Sequence, residues 1–272
     1  MTDVKVNIGN DLIDINLLPN EDGVLIPYSQ KDFDGIKKHF QGFINYRKTT
    51  NQCITDADRI RNLPYSVQDR TWRNKTDTLT LIKKEIEEKK VLDVLIVGSG
   101  NGWLANQLAQ IGHSVLGTDI LFYEFDGLKT IKHYDSTFRH ILLHPHDINK
   151  LSGNFDLIIF ENNLPYIKGV YKVVEESKGL LKKRGKIMCT GINVSQNVQK
   201  EKERIKSLEE YFQSEWNHSI NTYSTKMYFD REDFKSLKKL GFNLKVRRES
   251  RNIFNQLLSR KVVTYDGIYT QV

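Results

Sequence analysis

The chain has 272 residues, 39% of them hydrophobic and 28% charged, which excludes disordered and collagen-like classes and predicts one or two globular domains. Its apolar stretches are far shorter than the roughly 20 residues that a membrane span needs, so no transmembrane helix is predicted. Lys and Arg (41) exceed Asp and Glu (34), which gives a net charge of +7.

The excess of basic residues is concentrated near the C-terminus. Nine basic residues against Glu249 alone give a local charge of +8 between Lys235 and Lys261. Such a segment would suit an acidic partner such as RNA, although a solvated surface is the commoner reason for one. Cys53 and Cys189 are too few for a disulfide framework, and the N-terminal residues lack the pattern of a secretory signal, so a cytoplasmic location is predicted.

Two regions follow each other along the chain. Residues 1–75 contain Pro19, Pro27, Pro64 and turn signals, and they predict an N-terminal cap with a hairpin-like start followed by helices. From Leu79 onward, short apolar runs alternate with amphipathic stretches, which is typical of strand-helix units around a mostly parallel sheet. Strands are predicted at 91–97, 114–119, 139–143, 155–161, 186–190, 243–246 and 261–268.

Two helices interrupt this alternation in the C-terminal third. A charged helix at 200–216 belongs to an inserted segment of about 193–228, and a later helix spans 230–240 with Asp230 as its N-cap. The predicted fold is α/β: a Rossmann-like, seven-stranded, mostly parallel sheet with helices on both faces, plus the cap.

A glycine-rich loop follows the first strong strand and opens a helix. It reads Gly98, Ser99, Gly100, Asn101, Gly102 and Trp103. Glycines let the backbone approach a ligand closely, and the helix start points free N–H groups at it, so a nucleotide-like cofactor is expected. Trp103 stands where a dinucleotide fingerprint needs its third glycine, which argues against a nicotinamide or flavin dinucleotide.

An acidic residue ends the second strand, seventeen residues after Gly102. Asp119, followed by Ile120, is placed to accept hydrogen bonds from the two hydroxyls of a ribose.

These motifs resemble those of class I S-adenosylmethionine-dependent methyltransferases of the small-molecule type. The resemblance runs from about residue 76 to the end, and its further segments are 138–148, 154–160, 179–188 and 239–242. It implies S-adenosylmethionine as the cofactor, Asp147 and Ile148 at the adenine, and Glu161 and Asn162 on the face where cofactor and acceptor meet. It also implies two regions, a cap or substrate lid at 1–75 and a cofactor-binding core at 76–272.

One position departs from the family pattern. An acidic residue that helps to hold the methionine end of the cofactor usually stands two positions before the first glycine, where this chain has Ile96. Asp93 is an odd number of residues away and should face the opposite side of the strand. Arg73 could reach the cofactor carboxylate from the cap, or form only a surface salt bridge. A catalytically inactive binding protein with this fold is an alternative that Ile96 leaves open.

The segment from Asn163 to Tyr166, Asn-Leu-Pro-Tyr, resembles the tetrapeptide of enzymes that methylate exocyclic amines of nucleic-acid bases. It also fits an ordinary turn after the fourth strand. His144 and His146 without further clustered ligands predict no metal site. The favoured function is methyl transfer to an oxygen or nitrogen of a small-molecule acceptor, with RNA or DNA as the less favoured partner. No catalytic residue is singled out, since Glu161, Tyr166 and cap histidines are equal candidates for a general base.

Overall fold

The computed structural model describes residues 23–86, 90–221, 223–247 and 262–272. Most of the predicted hairpin-like start and residues 248–261 of the basic segment lie outside the described residues. None of the helices in these ranges is both long and apolar enough to cross a lipid bilayer.

The cap region contains a short strand, β1 (Val24–Leu25), and three helices, α1 (Gln30–Thr49), α2 (Ala57–Arg61) and α3 (Arg70–Glu85). Each helix begins after a residue whose side-chain oxygen accepts a backbone N–H of the first turn: Ser29 for α1, Asp56 for α2 and Asp69 for α3. The predicted division after residue 75 lies within α3.

The remaining strands are β2 (Asp93–Val97), β3 (Ser114–Asp119), β4 (Arg139–Leu142), β5 (Phe155–Glu161), β6 (Leu181–Ser195), β7 (Asn243–Val246) and β8 (Val262–Thr270). The helices between them are α4 (Trp103–Gln110), α5 (Val170–Lys178), α6 (Val198–Trp216) and α7 (Arg231–Lys239). The predicted N-cap of α7 is confirmed, because Asp230 accepts the N–H groups of Glu232 and Asp233.

All strands form one sheet in the order β1-β4-β3-β2-β5-β6-β8-β7. Pairing is parallel from β1 to β6, and β8 runs antiparallel to both of its neighbours. The Rossmann-like α/β prediction is confirmed, but the predicted number of seven strands is wrong, because the described residues alone form eight. The additional strand is β1, in which Val24 and Leu25 pair with His140 and Ile141 at the edge of the sheet.

Apolar side chains alternate across the two faces of the sheet, as a sheet covered on both sides requires. Val94 and Ile96 of β2 face a cluster built with Trp72 of α3 and Leu104 of α4. Leu95 and its neighbours face the other cluster, which α5 covers. Burial of this kind contributes roughly 1.5–3 kcal/mol for each large apolar side chain. Because β2 pairs in parallel with both β3 and β5, the carboxyl ends of these three strands lie side by side.

The inserted helix α6 packs on the cap. Phe212, fully buried, lies 4.9 Å from the Tyr46 ring of α1, and Trp216 lies 5.9 Å from the same ring. The N-terminal cap and the inserted segment therefore contact each other.

Candidate active site

The glycine loop turns sharply at the end of β2. Gly98 and Gly100 have φ angles of +75° and +56°, in the left-handed region that residues with a Cβ rarely adopt. The N–H groups of Gly98 and Ser99 both donate to the Thr118 carbonyl oxygen, at 2.8 and 2.9 Å. These bonds tie the loop to the end of β3, beside Asp119.

The loop is open on one side and closed on the other. A Cβ at Gly100 would have no heavy atom within 4 Å, whereas a Cβ at Gly98 would overlap the side-chain amide nitrogen of Asn163. The loop therefore has open space beside Gly100, next to the start of α4, where backbone N–H groups favour anionic or polar ligand groups.

Asp119 lies at this open side. Its Oδ2 accepts the Gly100 N–H at 2.8 Å, and its Oδ1 accepts the N–H groups of Ile120 and Leu121 at 2.7 and 2.9 Å. Burial raises the pKa of the Asp119 carboxyl, and the three backbone donors oppose that effect. Since two carboxylate oxygens offer about four acceptor positions, capacity remains for a hydroxyl donor. Loop and carboxylate together fit an adenosyl cofactor.

The cap reaches Asp147, which follows β4. Tyr28 donates its hydroxyl to Asp147 Oδ2 at 3.0 Å, and Lys150 pairs with Oδ1 at 2.8 Å. Burial works to raise the pKa of Asp147, but the bonds from Lys150 and Tyr28 outweigh it and lower the pKa. Ile148 has its side chain in the core, so only its backbone can face a ligand.

A buried histidine that no sequence motif indicated supports the glycine loop. His140 of β4 is fully buried, with Nε2 3.3 Å from the Ser99 hydroxyl and Nδ1 3.3 Å from the Leu128 carbonyl oxygen. Burial lowers the pKa of His140 to about 4, so the ring is neutral at physiological pH. This network assigns the proton to Nδ1, which donates to Leu128, while Nε2 accepts from Ser99. A histidine within a buried strand was the available signal.

The cation of α3 that faces the site is Lys75. Its Nζ lies 3.1 Å from Oε2 of Glu161, at the end of β5. Arg73 is exposed and donates to the Gln68 carbonyl oxygen at 2.7 Å. Two residues on a helix project about 200° apart, so Arg73 and Lys75 lie on opposite sides of α3. The structure thus puts Lys75, and not the predicted Arg73, beside the site.

Trp103 belongs to the core by its side chain. It is 2% exposed and contacts Trp72 edge to face, with 6.0 Å between the ring centroids. Only its backbone at the start of α4 can meet a cofactor. Asn101 is buried as well, and its side-chain oxygen accepts the Trp103 N–H at 3.3 Å.

The turn after β5 braces the glycine loop. Asn163 donates its side-chain amide to the Val97 carbonyl oxygen at 2.5 Å, and its own side-chain oxygen is buried without a partner among the described residues. Tyr166 is 53% exposed. Asn162 is exposed, with a φ of +52°, and its N–H donates to the Thr190 carbonyl oxygen at 2.9 Å.

One cavity adjoins the residues that hold Asp147, and another adjoins Glu161 and Asn162. The larger, of about 780 Å³, lies between the cap, the segment after β4 and the insertion, and its walls include Tyr28, His39, His144 and Tyr223. The smaller, of about 130 Å³, is lined mainly by polar residues, among them Lys75, Glu161, Asn162, Asn193 and Arg247; we call it the polar cavity. In the part of the chain that the structure describes, no group of three or more His, Cys, Asp or Glu side chains could hold a metal ion.

The insertion closes the larger cavity through Tyr223. Its hydroxyl lies 2.9 Å from Nδ1 of His144, and its ring lies 5.6 Å from that of His39 on α1. Burial lowers the pKa of His144 to about 4, so this ring is neutral when it shares its hydrogen bond with the Tyr223 hydroxyl.

Comparisons with known proteins agree with this geometry. The model of the methyltransferase domain family matches residues 66–246, more than half of the chain. Magnesium protoporphyrin IX methyltransferase from Synechocystis PCC 6803 with bound SAH is similar in structure, with a TM-score of 0.52 and 14% identity over 89% of this chain and 100% of that chain.

The plantazolicin methyltransferase in complex with SAH gives a TM-score of 0.51 and 11% identity over 89% of this chain and 99% of that chain. At such identities the likeness shows the fold alone, and no curated protein matches the sequence. The family match confirms the resemblance found in the sequence: the chain belongs to the methyltransferase-domain family, of the class I S-adenosylmethionine-dependent type.

Proposed function

We infer that the protein transfers the methyl group of S-adenosylmethionine to an oxygen or nitrogen of a small-molecule acceptor. The observation that carries this proposal is the Asp119 carboxylate, held by three backbone N–H groups at the open face of the glycine loop. A ribose would donate its hydroxyls to the remaining acceptor positions of Asp119, with the adenine toward Asp147.

The chain's own residues have a limited chemical task. S-Adenosylmethionine supplies an already activated methyl group, so the protein has to align donor and acceptor and to exclude water. The glycine loop and Asp119 would fix the donor side. The cap and insertion, which meet through His39 and Tyr223, would shield the site and select the acceptor. A general base is needed only for a weakly acidic hydroxyl.

The larger cavity lies at the Asp147 side, where the adenine is proposed to bind, because its walls include Tyr28 and Lys150, which hold Asp147. Sites for small molecules typically enclose about 300–1,000 Å³, and the cavity beneath the cap measures about 780 Å³. Its aromatic and imidazole walls suit a ligand with planar or apolar parts.

Calorimetry with S-adenosylmethionine tests the proposal. The unmodified protein should bind the cofactor, and Asp119→Ala should weaken binding about tenfold to one hundredfold, because a hydrogen bond to a charged group is worth about 1.5–3 kcal/mol. Asp135→Asn, at an exposed position, is the matched control. A thermal melt of each variant checks that it is folded. No binding to the unmodified protein at millimolar cofactor, or equal binding by Asp119→Ala, would refute the proposal.

A further inference from the structure

The polar cavity presents two opposite charges side by side. Lys75 and Glu161 are 3.1 Å apart, and their side chains are only 21% and 11% exposed. The Lys75 ammonium also lies 5.0 Å from the ring centroid of Trp103 and 5.2 Å from that of Trp72. Two aromatic faces and one carboxylate therefore hold the cation in place.

Hydrogen-bonding capacity remains on both members of this pair. Within the described ranges, Lys75 donates one hydrogen bond through its ammonium group, and Glu161 accepts one, at Oε2. An ammonium has three donors and a carboxylate about four acceptor positions. The other charged pair at this cavity is more fully engaged: Arg247 holds Asp266 by Nε and Nη2 and donates from Nη1 to Thr78 at 2.9 Å.

The ligand that matches such a pair carries both charges itself. A lone anion or a lone cation would leave one of the two partly buried groups facing a like charge, which is unfavourable at this degree of burial. An α-amino acid head group offers a carboxylate to Lys75 and an ammonium to Glu161. The cavity, about 130 Å³ and mainly polar, is of the size of such a head group and not of a whole nucleotide.

Strand order relates this cavity to Asp119. Strand β2 lies between β3 and β5, so Asp119 and Glu161 flank the glycine loop from opposite sides, two strand spacings or about 10 Å apart. An adenosyl amino acid that lies across the loop, with its ribose at Asp119, would direct its amino acid end toward Glu161.

The same geometry accounts for Ile96. Its side chain is buried in the apolar cluster of α3 and α4, together with Ile159 of the neighbouring strand. Glu161 follows Ile159 by two residues and so points to the same face of the sheet, one step closer to the open end. The neighbouring strand β5 thus carries a carboxylate, that of Glu161, on the face where residue 96 is an isoleucine.

We propose that Lys75 and Glu161 bind the α-amino acid group of the cofactor, Glu161 taking the ammonium and Lys75 the carboxylate. The assignment rests on the function proposed above. Asp93 cannot serve instead, because it begins β2 and so lies at the opposite end of that strand from the glycine loop.

Two ligands separate the amino acid group from the rest of the cofactor. S-Adenosylhomocysteine carries the group, and 5′-methylthioadenosine lacks it but keeps the adenosyl part. Binding of both is measured by calorimetry to the unmodified protein, Glu161→Gln and Lys75→Met. Lys84→Met, an exposed change on the same helix, is the matched control.

We expect Glu161→Gln and Lys75→Met each to weaken S-adenosylhomocysteine about tenfold to one hundredfold and to leave 5′-methylthioadenosine unchanged. Equally weakened binding of both ligands would mean that the pair only stabilises the fold, and it would overturn the assignment. Unchanged binding of both would also overturn it, and a loss of turnover alone would then assign the pair to the acceptor. If the unmodified protein binds neither ligand, the proposed function itself fails.

Discussion

Two alanine substitutions in the glycine loop should differ in their effect on stability, because the new methyl group meets different surroundings at Gly98 and Gly100. Gly98 and Gly100 both have positive φ angles, so either substitution forces a residue with a Cβ into the left-handed region. At Gly100 the new methyl group enters open space. At Gly98 it must displace the Asn163 amide from the Val97 carbonyl oxygen.

The expected losses of unfolding free energy follow from these contacts. Left-handed backbone costs a residue with a Cβ about 1–2 kcal/mol, which is the whole effect expected for Gly100→Ala. Gly98→Ala adds the cost of a buried carbonyl left without its donor, about 1–3 kcal/mol. The total for Gly98→Ala is therefore about 2–5 kcal/mol.

Denaturant titration of both variants in the absence of cofactor gives the comparison. A Gly98→Ala variant as stable as Gly100→Ala would refute the claim that the Asn163 hydrogen bond to Val97 stabilises the loop. Cofactor binding should show a separate effect: Gly100→Ala keeps most of its stability but loses affinity for S-adenosylmethionine, because its methyl group occupies the face on which the ligand would lie.

Three further outcomes are expected. The pKa of His140, about 4 when folded against about 6.5 when unfolded, means that the unfolded state takes up a proton first. The free energy of unfolding should then fall by up to about 3 kcal/mol as pH drops from 6.5 to 4. His140→Phe should be less stable at neutral pH but should lose less unfolding free energy over this pH range, and an equally steep loss in both proteins would contradict this. Arg247→Met should lower the free energy of unfolding by about 3–5 kcal/mol, because Asp266 then stays buried without its cationic partner. Adding Asp266→Asn should recover part of this loss, and additive effects of the two substitutions in a double-mutant cycle would contradict the pairing. Cys189 is fully buried and Cys53 is partly exposed, so Ellman's reagent should label Cys53 in the folded protein and Cys189 only after denaturation; rapid labelling of both would be inconsistent with the fold.

The sheet was largely predictable, because its central strands are buried on both faces and stand out as short apolar runs. The bounds of β3 and β5 agree with the prediction at both ends. Strand β1 was not predictable, since Val24 and Leu25 form a strand only through their pairing with β4. A segment of two residues carries no periodic pattern of its own.

The site was predictable in its backbone and less so in its side chains. The glycine loop and Asp119 meet as expected, because a turn after one parallel strand and a residue ending the next must share one edge of the sheet. Which cation of α3 faces that edge depends on the rotation of the helix about its axis, which tertiary packing decides. Arg73 was therefore the predicted cation, whereas the structure places Lys75 beside Glu161.

The His140 ring occupies the volume next to two glycines of neighbouring segments. A Cβ at Gly117 would come within 2.5 Å of the ring, and a Cβ at Gly102 within 2.7 Å. Residue choice at these positions is consequently interdependent: alanine at 117 fits the fold only if the side chain at 140 becomes smaller and the Ser99 hydroxyl, 2.7 Å from the same Cβ position, also moves. Among relatives of this chain, we expect positions 117 and 140 to vary together, with the combined volume of the two side chains nearly constant.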